Sequence, residues 1–246
     1  MIDRNGVRLA LAGLLLAASG WLQAASGGGL LQAGNDLGDR ASLQRGAQLY
    51  VNYCGGCHSL KYLRYSRLAE DLGLDEQQVQ ANLNFTGAAF GEQINAVMPA
   101  EAGKWFGKAP PDLSLVARVR GEDWIYTYLH AFYQDEQALL GWNNTLFPDV
   151  AMPNPLWELQ GVQRLRGERE SLPETLDTSH LERVADGVLA PAQFDQTVRD
   201  ITNFLAYAAE PAALKRQRMG IWVIGFLAVF TLLAWLLKRE YWKDVH

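Results

Sequence analysis

The chain has 246 residues, 49% hydrophobic and 20% charged, with two cysteines. That length allows one large domain or two small ones, and the composition excludes a disordered, collagen-like or disulfide-dense chain. Twenty-two basic against 27 acidic residues exclude a nucleic-acid binder, and a mean hydropathy of -0.10 excludes a polytopic membrane protein.

Residues 1–25 begin with Arg4 and Arg8, run through an apolar stretch from Leu9 to Ala18, and finish in Trp21-Leu22-Gln23-Ala24-Ala25. A basic end, a short apolar core and small residues are the order of a secretory signal, cut after Ala24 or Ala25. Left uncut, the segment would be a first membrane anchor, but its core is shorter than the ~20 residues a span needs. Gly27-Gly28-Gly29 and the mixed residues up to Gly38 read as a loose connector.

Ser42 is the expected cap of a first helix, in which Leu43, Ala47, Tyr50, Val51 and Cys54 recur at three- and four-residue spacing. That helix leads into Cys54-Gly55-Gly56-Cys57-His58. A C-x-x-C-H run is the attachment site of c-type haem: two vinyl groups need two thiols a short fixed distance apart, with the adjacent His as proximal ligand. A thioredoxin-like pair would need a surrounding βαβ pattern, and a zinc site would need more Cys or His at ligand spacing; the sequence has neither.

A second helix follows Glu122-Asp123, with Ile125, Tyr128, Leu129 and Phe132 on one side. A third runs from about residue 192 to 209, with Phe194, Val198, Ile201 and Leu205 in register, and Pro211 ends it. Between the helices, residues 84–114 and 141–157 are rich in Gly, Pro and Asn. Such long connections make sense if they wrap something other than protein. Residues 161–187 are Arg- and Glu-rich and read as a solvated insertion or hairpin.

Residues 219–237 contain no charged side chain and are long enough to cross a bilayer, with aromatic rings near both ends. Three basic residues flank each side, so orientation follows from the export signal. Residues 26–210 are then outside the cytoplasm and 238–246 form a cytoplasmic tail. The exported stretch holds 24 acidic and 14 basic residues, a net charge of -10. Such a field favours basic partners, and Glu70, Asp71, Asp75, Glu76, Asp135 and Glu136 are the expected docking acids.

The haem iron's other face decides its use: an open face permits oxygen or peroxide chemistry, whereas a Met sulfur leaves electron transfer. Met98 and Met152 both precede a Pro in non-periodic stretches, and spacing alone does not separate them. His130, on the second helix, is a weaker candidate, because a lone His on an amphipathic helix usually packs there.

Cys54 to His58, Ala109-Pro110-Pro111-Asp112-Leu113-Ser114, Arg118 with Gly121-Glu122-Asp123, Ala151-Met152-Pro153 and the single C-terminal anchor together resemble the cytochrome c1 family. That family is the haem subunit of the ubiquinol:cytochrome c oxidoreductase, the cytochrome bc1 complex. The resemblance implies a mostly α-helical, cytochrome c-like domain with long loops and one transmembrane helix. It implies one covalent haem c with His58 and Met152 on the iron, Pro111 packed beside it and Arg118 on a propionate; Arg120 is close enough to be confused with Arg118. It further implies cytochrome b, a Rieske iron–sulfur protein and a c-type cytochrome as partners, and a dimeric complex. The short segment between the haem motif and Pro110 suggests a bacterial form, placed in the inner membrane with its haem domain in the periplasm. A free-standing anchored cytochrome and a haem peroxidase are the rival readings.

Overall fold

The computed structural model describes residues 29–99, 101–167 and 178–243; the signal expected at 1–25 lies outside them. Helix α1 spans Arg40–Tyr53. Its cap is Asp39, whose side chain accepts from the Ser42 N–H at 3.0 Å. Ser42, the expected cap, is buried in the first turn and donates its hydroxyl to Asp200 Oδ1 at 2.7 Å. Both residue types cap well; the distant buried partner takes Ser42 out of the competition.

The connector expected to be loose is pinned along a later helix. Leu31 N–H donates to Thr127 Oγ1 and Ala33 N–H to Asp123 Oδ1, each at 2.8 Å. Ala33 is fully buried, and its carbonyl accepts from Arg199.

Strand β1 (Leu60–Arg64) leads into α2 (Tyr65–Leu72) and α3 (Glu76–Asn82), and pairs antiparallel with β2 (Gln93–Ile94). Next come α4 (Ala102–Phe106), α5 (Val116–Arg120) and α6 (Glu122–His130). Phe132, expected on α6, instead opens β3 (Phe132–Gln134), which pairs antiparallel with β4 (Trp142–Asn144). The helix stops because Ala131 gives its carbonyl to Thr145 N–H, extending that pairing. After α7 (Trp157–Gln160), β5 (Gly161–Leu165) and β6 (Leu181–Asp186) form an antiparallel pair, in line with the hairpin reading of this stretch for its described residues. Helices α8 (Pro191–Ala209) and α9 (Ala213–Tyr241) follow. Strands come only as two-stranded pairs among the described residues, and the domain is mostly helical as expected.

The core is built where α1 crosses α8. Gly46 makes that crossing close: a Cβ there would lie 2.1 Å from the Asp200 carbonyl oxygen and 2.6 Å from Phe204 Cβ. A polar knot sits beside the contact. Arg45 holds the buried Asp200 carboxylate with two hydrogen bonds, at 2.6 and 2.9 Å. Asn203 Nδ2 donates to Ser42 Oγ at 3.0 Å and to the Asp36 carbonyl at 2.8 Å. A buried carboxylate is tolerated because it is paired and hydrogen-bonded. Helix α6 adds Ile125 and Leu129 to the same core.

Helix α9 is the one helix among the described residues long and apolar enough to cross a membrane, with a mean hydropathy of 2.3 over its best window. Its 29 residues span roughly 44 Å at 1.5 Å each. Apolar side chains cover it on all sides and stand exposed, as a lipid-facing helix requires.

Replacing Gly46 with Ala should destabilise the folded domain by about 1–3 kcal/mol through overpacking at this crossing. Thermal unfolding followed by far-ultraviolet circular dichroism checks this, and an unchanged midpoint would refute the close-contact account.

Candidate haem site

Helix α1 ends at Tyr53, and the chain turns back on itself at once. Cys54 and Gly55 N–H donate to the Tyr50 carbonyl at 2.8 and 2.7 Å, and Cys57 and His58 N–H to the Cys54 carbonyl at 3.0 and 2.9 Å. The turn brings Cys54, Cys57 and His58 to the wall of one cavity of about 330 Å³. Both cysteines are free thiols, Cys54 buried and Cys57 exposed. Burial pushes the Cys54 thiol up to about 12 and raises Cys57 as well.

His58 Nδ1 lies 2.7 Å from the Pro111 carbonyl oxygen. A carbonyl only accepts, so Nδ1 carries the proton and Nε2 of the neutral ring keeps its lone pair. Burial lowers the His58 pKa, against the opposing pull of the Pro111 hydrogen bond, and keeps the ring in the form that binds a metal.

The Pro-Pro-Asp-Leu-Ser run is held beside β1 by three hydrogen bonds. Leu113 N–H donates to the Ser59 carbonyl at 2.9 Å. Lys61 N–H donates to Asp112 Oδ2 at 3.0 Å, and Tyr62 N–H to Ser114 Oγ at 3.1 Å. Asp112 and Ser114 thus act as side-chain extensions of a strand that Pro110 and Pro111 cannot form themselves. Their effect is to fix the Pro111 carbonyl against His58.

Met152 lines the same cavity, with Val150, Ala151, Pro153 and Pro155 around it. Asparagines hold its loop at both ends, and sequence reasoning missed them. Asn143 Oδ1 accepts from Asp149 N–H at 2.9 Å; Asn144 Oδ1 accepts from Leu146 and Phe147 N–H at 3.0 and 3.1 Å. Asp149 takes a positive φ of 58°, a conformation Asp tolerates better than most residues. Beyond the loop, Asn154 Oδ1 accepts from Leu156 N–H at 2.9 Å and its Nδ2 donates to Gln160 Oε1 at 2.8 Å. Tyr128, also on the cavity wall, donates its hydroxyl to Met152 Sδ at 3.5 Å. The other candidates lie elsewhere. Met98 is not among the cavity residues, and His130 packs against Phe194 with its Nδ1 on the Tyr126 carbonyl.

The two arginines of α5 lie in different surroundings. Arg118 lies off the cavity wall and pairs with Glu210 at 3.6 Å, whereas Arg120 lines the wall, its guanidinium 4.9 Å over the Trp124 ring. Two residues on a helix are about 200° apart, so α5 sends one to the end of α8 and the other to the cavity.

The expected docking acids are divided too. Asp71 pairs with Arg67 at 2.6 Å and accepts from Tyr207 at 2.9 Å, and Asp75 caps α3. Asp135 accepts from Gln137 N–H at 3.0 Å and Asn143 Nδ2 at 2.9 Å. Glu70, Glu76 and Glu136 stand exposed.

Two free thiols, a neutral imidazole and a thioether on one mainly apolar cavity are a donor set that fits a c-type haem. Residues 35–91 and 94–245 match the Cytochrome C1 family. The chain belongs to the cytochrome c1 family. Members of that family carry a covalently bound c-type haem, and Cys54 and Cys57 provide the matching thiol pair.

The chain is 51% identical to cytochrome c1 of Allochromatium vinosum, over 97% of this chain and 99% of that protein. It is 42% identical, over 86% of each chain, to a Nitrosomonas europaea protein named ammonia monooxygenase gamma subunit. A structure titled hyperthermophilic respiratory Complex III covers 83% of this chain with 77% of its own, at 20% identity and a TM-score of 0.39.

Replacing Arg120 with Gln removes a positive charge from the cavity and should lower the haem reduction potential, by on the order of 1 kcal/mol. The same change at Arg118 should leave it within error. Redox titration of the two variants checks this; a larger effect at Arg118 would favour Arg118, as the sequence expectation has it.

Proposed function

We propose that this chain passes single electrons from a Rieske iron–sulfur protein, through one covalent haem held by Cys54, Cys57, His58 and Met152, to a mobile c-type cytochrome. It does so as the cytochrome c1 subunit of a ubiquinol:cytochrome c oxidoreductase, beside cytochrome b in a dimeric complex. The observation that carries the reading is that the C-x-x-C-H turn and Met152, about a hundred residues apart in sequence, line one cavity.

When bound, a c-type haem supplies a one-electron couple with no bond made or broken in a substrate. The chain's own part is to hold its ligands still and to keep water out. Pro111 fixes the tautomer and plane of the His58 ring through its carbonyl. Asn143 and Asn144 fix the loop that presents Met152. Ile201, Leu205, Leu129 and Ile125 supply an apolar wall, which lowers the local dielectric and the solvent reorganisation that accompanies a change of charge. Arg120 is the cavity-side cation suited to a propionate, since a buried carboxylate needs a partner and a guanidinium pairs with it well.

Residues 26–210 form the exported haem domain, on the periplasmic side of a bacterial inner membrane, with 219–237 as anchor and 238–246 as cytoplasmic tail. The signal at 1–25 directs that orientation. The net charge of -10 on the exported stretch suits a basic electron acceptor; among the six acids first expected at the contact, Glu70, Glu76 and Glu136 have side chains to spare for it.

Three measurements test this reading. Met152→Leu should keep covalent haem but lower the reduction potential and let the reduced form bind carbon monoxide, seen in a difference spectrum; a silent spectrum would exclude Met152 as ligand. The tagged wild-type protein, purified in mild detergent, should bring down a b-type haem protein and an iron–sulfur protein. Recovery alone would favour a free-standing carrier, and recovery with an oxygenase would follow the name of the Nitrosomonas relative. Turnover with a basic cytochrome should slow steeply with added salt, and an indifferent rate would refute acidic docking.

A further inference from the structure

We propose that the Tyr128 hydroxyl is a positioning donor for the Met152 thioether, which holds the sulfur in the cavity and raises the reduction potential of the iron it serves. This rests on Met152 being the axial ligand. The hydroxyl lies 3.5 Å from Sδ, and among the described residues that sulfur is its hydrogen-bond partner. A buried phenol hydroxyl without a partner is costly.

The contact is held from both sides. The Tyr128 ring stacks on Trp124 with centroids 4.9 Å apart and planes 12° apart, and meets the edge of Phe132 at 5.0 Å. Its backbone carbonyl accepts from Asn144 Nδ2 at 2.9 Å, and the same Asn144 anchors the start of the Met152 loop through Leu146 and Phe147 N–H. One asparagine therefore ties donor and acceptor to a common point. Tyr126, two residues earlier on the same helix, gives its hydroxyl to Asp195 and is not among the cavity residues.

A hydrogen bond to the thioether draws electron density from the sulfur. Ferric iron needs that density more than ferrous iron does, so the donor favours the reduced state. Hydrogen bonding to a ligand is a recognised lever on a metal's potential.

The test uses the full-length, haem-loaded protein in its purified membrane complex, with optical redox titration and the sulfur-to-iron charge-transfer band of the oxidised form as readouts. Tyr128→Phe should keep the band while the oxidised-to-reduced ratio at fixed ambient potential rises about threefold, the scale of a weak hydrogen bond. For a one-electron couple that is a fall of about 28 mV. Tyr126→Phe should leave the ratio unchanged. Fluorotyrosine at position 128, a stronger donor, should move the ratio the opposite way, and it decides the matter if the Phe variant does not assemble. An unchanged potential in Tyr128→Phe with the band present overturns the proposal, as does an equal fall in Tyr126→Phe. A wild-type protein without the band, or a Met152→Leu variant that keeps it, overturns the ligand reading itself and the proposal with it.

Discussion

The close crossing of α1 and α8 at Gly46 is the constraint on which the site depends. It puts the last turn of α1, and so the cysteines, at a fixed height over Ile201 and Leu205 of α8, which form part of the cavity wall. The Arg45–Asp200–Ser42–Asn203 knot fixes rotation at the same place, because its bonds have direction where apolar contact has none. A shift at this crossing would move the thiols away from the wall that carries Met152.

From that crossing two independent segments close on the cavity. Residues 109–114 approach beside β1 and deliver one carbonyl to His58; residues 145–153 approach from β4 and deliver one sulfur. Neither segment has a regular backbone, and each replaces missing ladder bonds with side chains, Asp112 and Ser114 in one and Asn143 and Asn144 in the other. Long connections in a small domain are sustained in this way, with backbone N–H groups partnered by side chains rather than by secondary structure.

What could be read from the sequence was what is encoded locally. Cys54, Cys57 and His58 lie in one turn, the apolar periodicity of α6 and α8 is strong, and the anchor is a continuous apolar run. The choice between Met98 and Met152 needed the family resemblance, since both precede Pro in similar contexts. What failed depended on partners distant in sequence. Ser42 was lost as a cap to Asp200, 158 residues away, and Phe132 was drawn off α6 by pairing with Asn144. Helix α5 has five residues, too few for a periodicity to set its phase, so Arg118 and Arg120 could be separated only in three dimensions. The asparagines and Tyr128 gave no signal beyond their residue type.

The acidity of residues 26–210 has the same character once its partners are known. Asp39 caps α1, Asp75 caps α3, Asp200 and Asp71 are paired, and Asp112 and Asp123 receive backbone N–H groups. Much of the negative charge is thus used to complete helices and loops that apolar packing alone would leave with unpaired donors. Glutamates such as Glu70, Glu76 and Glu136 have longer side chains that cap helices poorly and remain in water. The capping aspartates keep their charge, since a backbone N–H neutralises nothing, so they add to the field a basic partner meets while they complete the frame.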